Sequence, residues 1–262
     1  MPTLGQFIRV MNKGIQPGTI LNTYSVGTSG QYVDGIAYDG TNLWTLSSTP
    51  TPVAFRKVST AGVTLNSYAP GTAQTNQIAF DGTNMWTVNS FTQALYELTT
   101  SGTLAVTYTP AITSVDGITY GAGYLWAANS GATGAIYKIS TSGVLVATYT
   151  PAISNVVSLT FDGTYLWGVN VTSGALYKIS TAGSLIATYS LGLLDIEAIT
   201  YGAGYLWAAG YGSNGPLYQI STSGALIYSV APGISNVYAM TYGGGYLWAT
   251  NDVSQLLYKI SI

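Results

Sequence analysis

The sequence predicts an all-β protein, a six-bladed β-propeller made of four-stranded antiparallel blades. Three observations carry that prediction. Six tryptophans, Trp44, Trp86, Trp126, Trp167, Trp207 and Trp248, follow one another at intervals of 42, 40, 41, 40 and 41 residues, and a period of that length marks one small unit copied several times. Each unit holds four short apolar or alternating segments separated by turn residues, the pattern of antiparallel strands. The last unit lacks its fourth segment, and a spare copy of that segment precedes the first unit.

The second unit shows the elements in order. A first strand at Gln77-Ile78-Ala79-Phe80 meets an Asp81-Gly82 turn, and Asn84-Met85-Trp86-Thr87-Val88 follows as the second. After a polar loop come Ala94-Leu95-Tyr96-Glu97-Leu98, the turn Thr99-Thr100-Ser101-Gly102, and Leu104-Ala105-Val106-Thr107-Tyr108. The first turn is Asp-Gly at Asp39, Asp81 and Asp162, and a glycine triplet or Gly-Ala-Gly starting at Gly121, Gly202 and Gly243. Both versions supply residues that tolerate the positive φ of tight hairpins. The second turn recurs from Ser59, Thr99, Ser140, Ser180 and Ser221, and a sixth copy would begin at Ser261, where the chain stops. Gly18 to Val26 matches the fourth-strand pattern of Gly62 to Pro70. Pairing of that segment with Leu256 to Ile260 closes the ring and removes the edges an open array would expose. Residues 1–18 are thus read as an N-terminal arm and 19–262 as the propeller.

The phrase Ile78-Ala-Phe-Asp-Gly-Thr-Asn-Met-Trp86, echoed at Leu159 to Trp167, resembles the blade motif of bacterial NHL- and YVTN-type β-propellers over residues 19–262. The blade pattern is also similar to that of streptogramin B lyases. Their activity relies on histidine, and this chain has none, so the resemblance implies fold and not activity.

Composition narrows the function. Charged residues are 6% of the chain, against roughly 25% in ordinary soluble proteins, so long-range steering of charged partners is weak. Seven Lys and Arg with a net charge of -2 argue against a nucleic-acid binder that tracks phosphates. The absence of His and Cys excludes imidazole acid/base chemistry, thiolate nucleophiles and disulfides within this chain. No apolar run reaches the ~18 residues of a membrane span, and the first residues carry no secretory signal pattern.

The tryptophans occupy one register in every unit, so they are read as packing between blades. The third-strand tyrosines Tyr96, Tyr137, Tyr177, Tyr218 and Tyr258 are read the same way, as are Tyr24, Tyr68, Tyr108, Tyr149 and Tyr189 of the fourth strand, with Val230 in the sixth blade. Lys57, Lys138, Lys178 and Lys259 share a register and are expected to snorkel to solvent.

Site residues are sought where the repeat breaks. Counting two residues upstream of Ile36, Ile78, Ile118, Leu159, Ile199 and Met240 gives a ring at the channel mouth. Its members are Asp34, Asn76, Asp116, Val157, Glu197 and Tyr238. Carboxylates on blades one, three and five, Asp34, Asp116 and Glu197, form a candidate Ca²⁺ or Mg²⁺ set through oxygen ligands; otherwise no cofactor is expected. If these acids converge, at least one has its pKa raised by its neighbours. The loops between second and third strands share that face. Asn begins four of them and is read as capping local backbone, while Phe91 and Tyr211 offer stacking surfaces. Asn170-Val171-Thr172 fits a glycosylation acceptor pattern. Leu4, Phe7, Ile8 and Val10 give the arm an apolar docking face for a partner protein or neighbouring subunit through residues 1–17. The leading expectation is a non-enzymatic interaction or structural module, exposed in an extracellular, cell-surface or virion-type assembly. A carbohydrate-binding propeller with six equivalent inter-blade sites is the alternative. A metal-dependent lyase or hydrolase using the mouth carboxylates is the third reading.

Overall fold

The computed structural model describes residues 15–27, 31–48, 53–193 and 195–262; the arm residues Leu4, Phe7, Ile8 and Val10 lie outside them. The described chain holds 24 strands and no helix, arranged as six four-stranded antiparallel sheets. Strand β1 (Ile20–Ser25) comes first. Blade one is β2 (Gly35–Tyr38), β3 (Asn42–Ser47), β4 (Ala54–Ser59) and β5 (Thr64–Tyr68). Blade two is β6 (Thr75–Phe80), β7 (Asn84–Asn89), β8 (Leu95–Thr99) and β9 (Leu104–Tyr108). Blade three is β10 (Val115–Gly121), β11 (Tyr124–Asn129), β12 (Ile136–Ile139) and β13 (Leu145–Tyr149). Blade four is β14 (Val156–Phe161), β15 (Tyr165–Asn170), β16 (Ala175–Ser180) and β17 (Leu185–Ser190). Blade five is β18 (Ile196–Gly202), β19 (Tyr205–Gly210), β20 (Leu217–Ser221) and β21 (Leu226–Val230). Blade six is β22 (Val237–Gly243), β23 (Tyr246–Asn251), β24 (Leu256–Ile260) and, outermost, β1. Val230 therefore belongs to blade five, because β1 supplies the outer strand of the sixth.

Closure reproduces a normal turn from two chain ends. Tyr24 pairs with Leu257 and Ser25 with Leu256. In blade one, Ser59 N–H donates to the Val63 carbonyl, Gly62 N–H to the Ser59 carbonyl, and Val63 N–H to Ser59 Oγ. Across the chain termini Ser261 N–H donates to the Thr19 carbonyl, Gly18 N–H to the Ser261 carbonyl, and Thr19 N–H to Ser261 Oγ. The sixth Ser-turn exists, split between the first and last strands.

The tryptophans pack blade against blade, as their common register implies. Trp86 sits in a cluster with Val115, Ile118 and Leu125 of blade three, and Trp248 closes the circle against Val33, Ile36 and Leu43 of blade one. Each indole is at most 1% exposed. Burial of 150–250 Å² at roughly 25 cal/mol per Å² makes each ring worth about 4–6 kcal/mol as an upper bound.

A buried indole N–H needs an acceptor, and the two versions of the first turn provide it differently. Asp39, Asp81 and Asp162 accept from Trp44, Trp86 and Trp167 at 2.6, 2.7 and 2.7 Å. In the other blades the carbonyls of Gly121, Gly202 and Gly243 accept from Trp126, Trp207 and Trp248. These three glycines lie against the next blade, where a Cβ would meet the rings of Phe161, Tyr242 and Tyr38. The second turn interlocks in the opposite direction. Gly143, at φ +75, leaves room for Tyr108 of the preceding blade, and Gly62, at φ +78, does so for Tyr24. Tyr24, Tyr68, Tyr108, Tyr149 and Tyr189 also stack on the tryptophan of their own blade.

The lysine register differs from expectation. Lys138, Lys178 and Lys259 place their ammonium groups 3.8, 4.2 and 3.8 Å from the ring centres of Tyr124, Tyr165 and Tyr246. Two of them continue to the next blade, Lys178 Nζ donating to the Thr222 carbonyl and Lys259 Nζ to that of Thr60. An aromatic face holds the cation better than water does when the site is half-buried.

Candidate functional site at the channel mouth

Inner strands β2, β6, β10, β14, β18 and β22 surround the axis. The loops entering them and the loops between second and third strands form one face of the ring. A repeated device fixes that face. Gln74, Ser114, Asn155, Asp195 and Asn236, four residues before the aligned first-strand aliphatics, all have positive φ, between 48 and 51°. Their carbonyls accept N–H bonds from Ser90, Ser130, Val171, Tyr211 and Asp252 of the neighbouring loop. Polar residues reach this left-handed conformation more readily than branched ones do.

The four loop asparagines cap backbone as read from the sequence. Asn89 Nδ2 donates to the Ala73 carbonyl and its Oδ1 accepts from Phe91 and Thr92 N–H; Asn129, Asn170 and Asn251 repeat the scheme. Asn170 is 4% exposed, and its amide also reaches Tyr177 Oη. It is therefore no accessible glycosylation acceptor. Blade one departs from the scheme with Ser47 in the asparagine place and Arg56 in the tyrosine place. Arg56 Nη1 donates to Ser47 Oγ and Nη2 to Gln31 Oε1, so one long cation fills the space of two missing groups.

Four of the six residues counted from the sequence, Asp116, Val157, Glu197 and Tyr238, face one cavity, for a reason that spacing does not reveal. The register of the inner pair shifts at Val115/Gly117, Val156/Ser158, Ile196/Ala198 and Val237/Ala239, and at Thr75/Ile78. Asp116, Val157, Glu197, Tyr238 and Asn76 sit in these β-bulges, which re-aim a side chain out of the alternation. Asp116, Val157, Glu197 and Tyr238, with Gln77, line a cavity of about 250 Å³. Gln77 spans the ring, its Nε2 donating to the Val157 carbonyl at 3.2 Å, blade two to blade four.

The six ring residues are not equivalent. Asp34 is buried, and its Oδ2 accepts from Ser48 N–H at 2.7 Å. Asp116 Oδ1 accepts from Asn76 Nδ2 at 2.9 Å. With Asp34 and Asp116 committed to separate blades, no group of three or more acids able to hold a metal ion is found among the described residues. Asp34, Asp116 and Glu197 do not stand as a ready-made Ca²⁺ or Mg²⁺ set.

Electrostatic convergence is present nonetheless, centred on blades five and six. Burial pushes the Glu197 carboxyl up to about 7, with help from the charges of Asp116, Asp252 and Asp195. Burial raises Tyr238, and the charges of Asp116, Asp34, Glu197 and Asp252 raise it further. Burial also lifts Asp34, against the bonds from Ser48 and with the Asp252 charge. Asp252 is raised by its own burial, opposed by the hydrogen bond from Tyr211. Tyr211 Oη donates to Asp252 Oδ2 at 3.2 Å, while Asp252 Oδ1 is buried with no hydrogen-bond partner among the described residues. Asp252 and Asp195 are absent from the ring counted by sequence. Their signal was available in composition: both are acids on this face, in a chain with nine Asp and Glu in all. Phe91 is 75% exposed and Tyr211 37%, so both rings are open to solvent, though only Tyr211 adjoins the acids.

No protein-family model matches this chain, and no curated protein sequence matches it. Solved structures do. A streptogramin B lyase superposes with a TM-score of 0.68 at 17% identity, over 92% of this chain and 96% of the other. A virginiamycin B lyase from Staphylococcus aureus gives 0.66 at 16% identity, over 94% and 98%. A chain of the nidogen/laminin complex gives 0.68 at 15%, over 83% and 87%. Likeness at these identities shows the propeller fold, on which enzymes and binding modules both occur.

Proposed function

We propose that this protein is a non-enzymatic interaction module, an NHL/YVTN-like propeller whose channel mouth receives a cationic side chain of a protein partner. One observation carries the reading: five of the nine carboxylates, Asp34, Asp116, Asp195, Glu197 and Asp252, influence one another or a shared tyrosine on a single face. The lysines of the described chain lie at the other end of the blades, on aromatic rings. A cation entering the mouth relieves the mutual repulsion and lets Glu197 ionise. The chain offers no imidazole or thiol to act as a general base or nucleophile, which supports binding over catalysis. The sparse charge and the Ser-, Thr- and Tyr-rich surface support an exposed setting, extracellular, cell-surface or virion-associated. Attachment to a neighbouring subunit through residues 1–17 belongs to the same proposal and rests on the apolar pattern of Leu4, Phe7, Ile8 and Val10.

The test is titration with a Lys/Arg-rich peptide, followed by calorimetry at low and moderate salt. Salt-dependent binding that drops at least tenfold in the Glu197→Gln/Asp252→Asn double variant is expected. Binding of equal strength in wild type and double variant, or no binding to wild type at low salt, overturns the reading. For the arm, removal of residues 1–14 leaves the Gln16–Gly18 turn in place, and an unchanged oligomeric mass by light scattering refutes docking through it.

A further inference from the structure

The six grooves between blades on the face opposite the mouth are alike in backbone and unlike in filling. Blades three, four, five and six carry Tyr124, Tyr165, Tyr205 and Tyr246 two residues before the tryptophan. In three of these the tyrosine ring covers the neighbouring lysine, as described above. Blade two replaces tyrosine with Asn84, and the space is closed by polar bonds. Asn84 Nδ2 donates to Glu97 Oε1 at 2.6 Å, and Tyr108 Oη donates to Glu97 Oε2 at 2.9 Å. Blade one has Asn42 at this place and Lys57 beside it. Neither the Asn42 amide nor the Lys57 ammonium has a hydrogen-bond partner among the described residues; Lys57 rests 5.2 Å from the Trp44 ring centre. By register the Thr100 turn is to Lys57 what the Thr222 turn is to Lys178, yet Lys57 makes no such bond.

The result is an open cleft of about 410 Å³ whose wall includes Asp39, Asn42, Lys57, Phe80, Thr83 and Thr100. Its volume falls within the ~300–1,000 Å³ of small-ligand sites. Asp39 Oδ1 accepts from Thr41 and Asn42 N–H and Oδ2 from the Trp44 indole. Burial opposes its charge, but these bonds and the Lys57 ammonium hold the carboxyl below its ordinary range, so the cleft keeps one hydrogen-bonded anion beside Lys57. What remains for a ligand is a cluster of donors and hydroxyls around the half-buried face of Phe80: three ammonium protons, one amide and the threonine side chains.

We propose that this cleft between blades one and two binds one unit of an acidic saccharide. A sugar carboxylate would face Lys57, ring hydroxyls would exchange bonds with Asn42 and the threonines, and the apolar C–H face would lie on Phe80. Charge-assisted bonds give the anion its preference over a neutral sugar. This site is independent of the channel mouth and replaces six equivalent inter-blade sites with one.

The test uses the protein's own repeat. Asn42→Tyr installs the residue that four other blades carry, filling the cleft and covering Lys57 without asking the fold for anything new. Amide chemical shifts are followed on titration with a galacturonate trisaccharide and with a galactose trisaccharide of the same linkage. Shifts at Thr41, Asn42 and Thr83 with the acidic sugar, and affinity at least tenfold weaker in both Asn42→Tyr and Lys57→Gln, are expected. Lys57→Gln alone decides the matter if Asn42→Tyr loses its native spectrum. No shifts at millimolar galacturonate, shifts that persist in the variants, or equal affinity for the neutral sugar each overturn the proposal.

Discussion

Replacing Glu197 by Gln should flatten the pH dependence of stability on the alkaline side of pH 5. In the folded ring the Glu197 carboxyl titrates at about 7, against 4.5 in the unfolded chain. The folded state therefore holds a proton that the unfolded state has released between these values, and stability falls as pH rises through that window. Below 4.5 both states are protonated and nothing is lost; above 7 the full penalty of a buried, repelled carboxylate is present. The shift corresponds to at most about 3 kcal/mol. Part of the side chain meets solvent, and screening reduces this to about 1–2 kcal/mol. Gln keeps the shape and removes the charge, so it should be close to neutral at pH 4.5 and stabilising by that amount at pH 8. Urea unfolding of wild type and variant from pH 4.5 to 8 reads the difference, and subtraction cancels Asp34 and Asp252, which are raised in both proteins. A difference curve that stays flat, or in which the variant loses ground as pH rises, refutes the assignment of converging charge at the mouth.

Four further outcomes follow from the turns and from ring closure. Gly143→Ala should cost about 2–4 kcal/mol in chemical denaturation, because its Cβ would lie 2.1 Å from Tyr108 at a φ of +75°, combining left-handed strain with overpacking. Gly163→Ala, at φ +95° with open space around it, should cost only the backbone part, about 1–2 kcal/mol. Asp81→Ala strands the Trp86 indole and two turn N–H groups and should lower stability by about 1–3 kcal/mol, with the near-ultraviolet tryptophan signal altered. Deleting residues 1–26 removes β1, exposes the β24 edge and takes Tyr24 from Trp248; aggregation or loss of cooperative melting is expected, whereas deletion of 1–14 should leave melting unchanged.

The architecture is legible because a closed ring imposes one rule on every blade. Trp44 and its five counterparts must occupy the same register to fill the same inter-blade space. The Gly18–Val26 copy has no place to pair except the open edge of Leu256–Ile260. The chemical reason for two first-turn versions is harder to read. Asp-Gly and Gly-Ala-Gly look like equivalent solutions for positive φ until the indole acceptor is seen to be a carboxylate in one and a carbonyl in the other. Lys138 and Lys178 read as snorkelling side chains because a sequence does not show that Tyr124 and Tyr165 lie over them.

The mouth is legible in position and not in direction. Counting from Ile118 and Ile199 reaches Asp116 and Glu197, but strict alternation along a strand says nothing of a bulge that turns both toward the axis. Asp252 and Asp195 come from loops forty residues and more from Asp34 and Asp116, so their joint field is created only by ring closure. Equal blades cancel what they share and leave their differences exposed: Arg56 where the others have Tyr, Ser47 where four others have Asn, Asn42 and Asn84 where the other four have Tyr, Gln77 where others have Gly, Ser or Ala. Two of these exceptions, Arg56 with Ser47 and Asn84 with Glu97, are compensated by a partner within the same blade. Asn42 and Asp252 Oδ1 are not, and a polar group left without a partner in a half-buried place costs stability unless something else binds it. Buried threonine hydroxyls such as Thr45 and Thr87 also lack a partner among the described residues, but the blade-one cleft and the blade-six edge of the mouth are where such a group adjoins a cavity or an open face that an external ligand could enter.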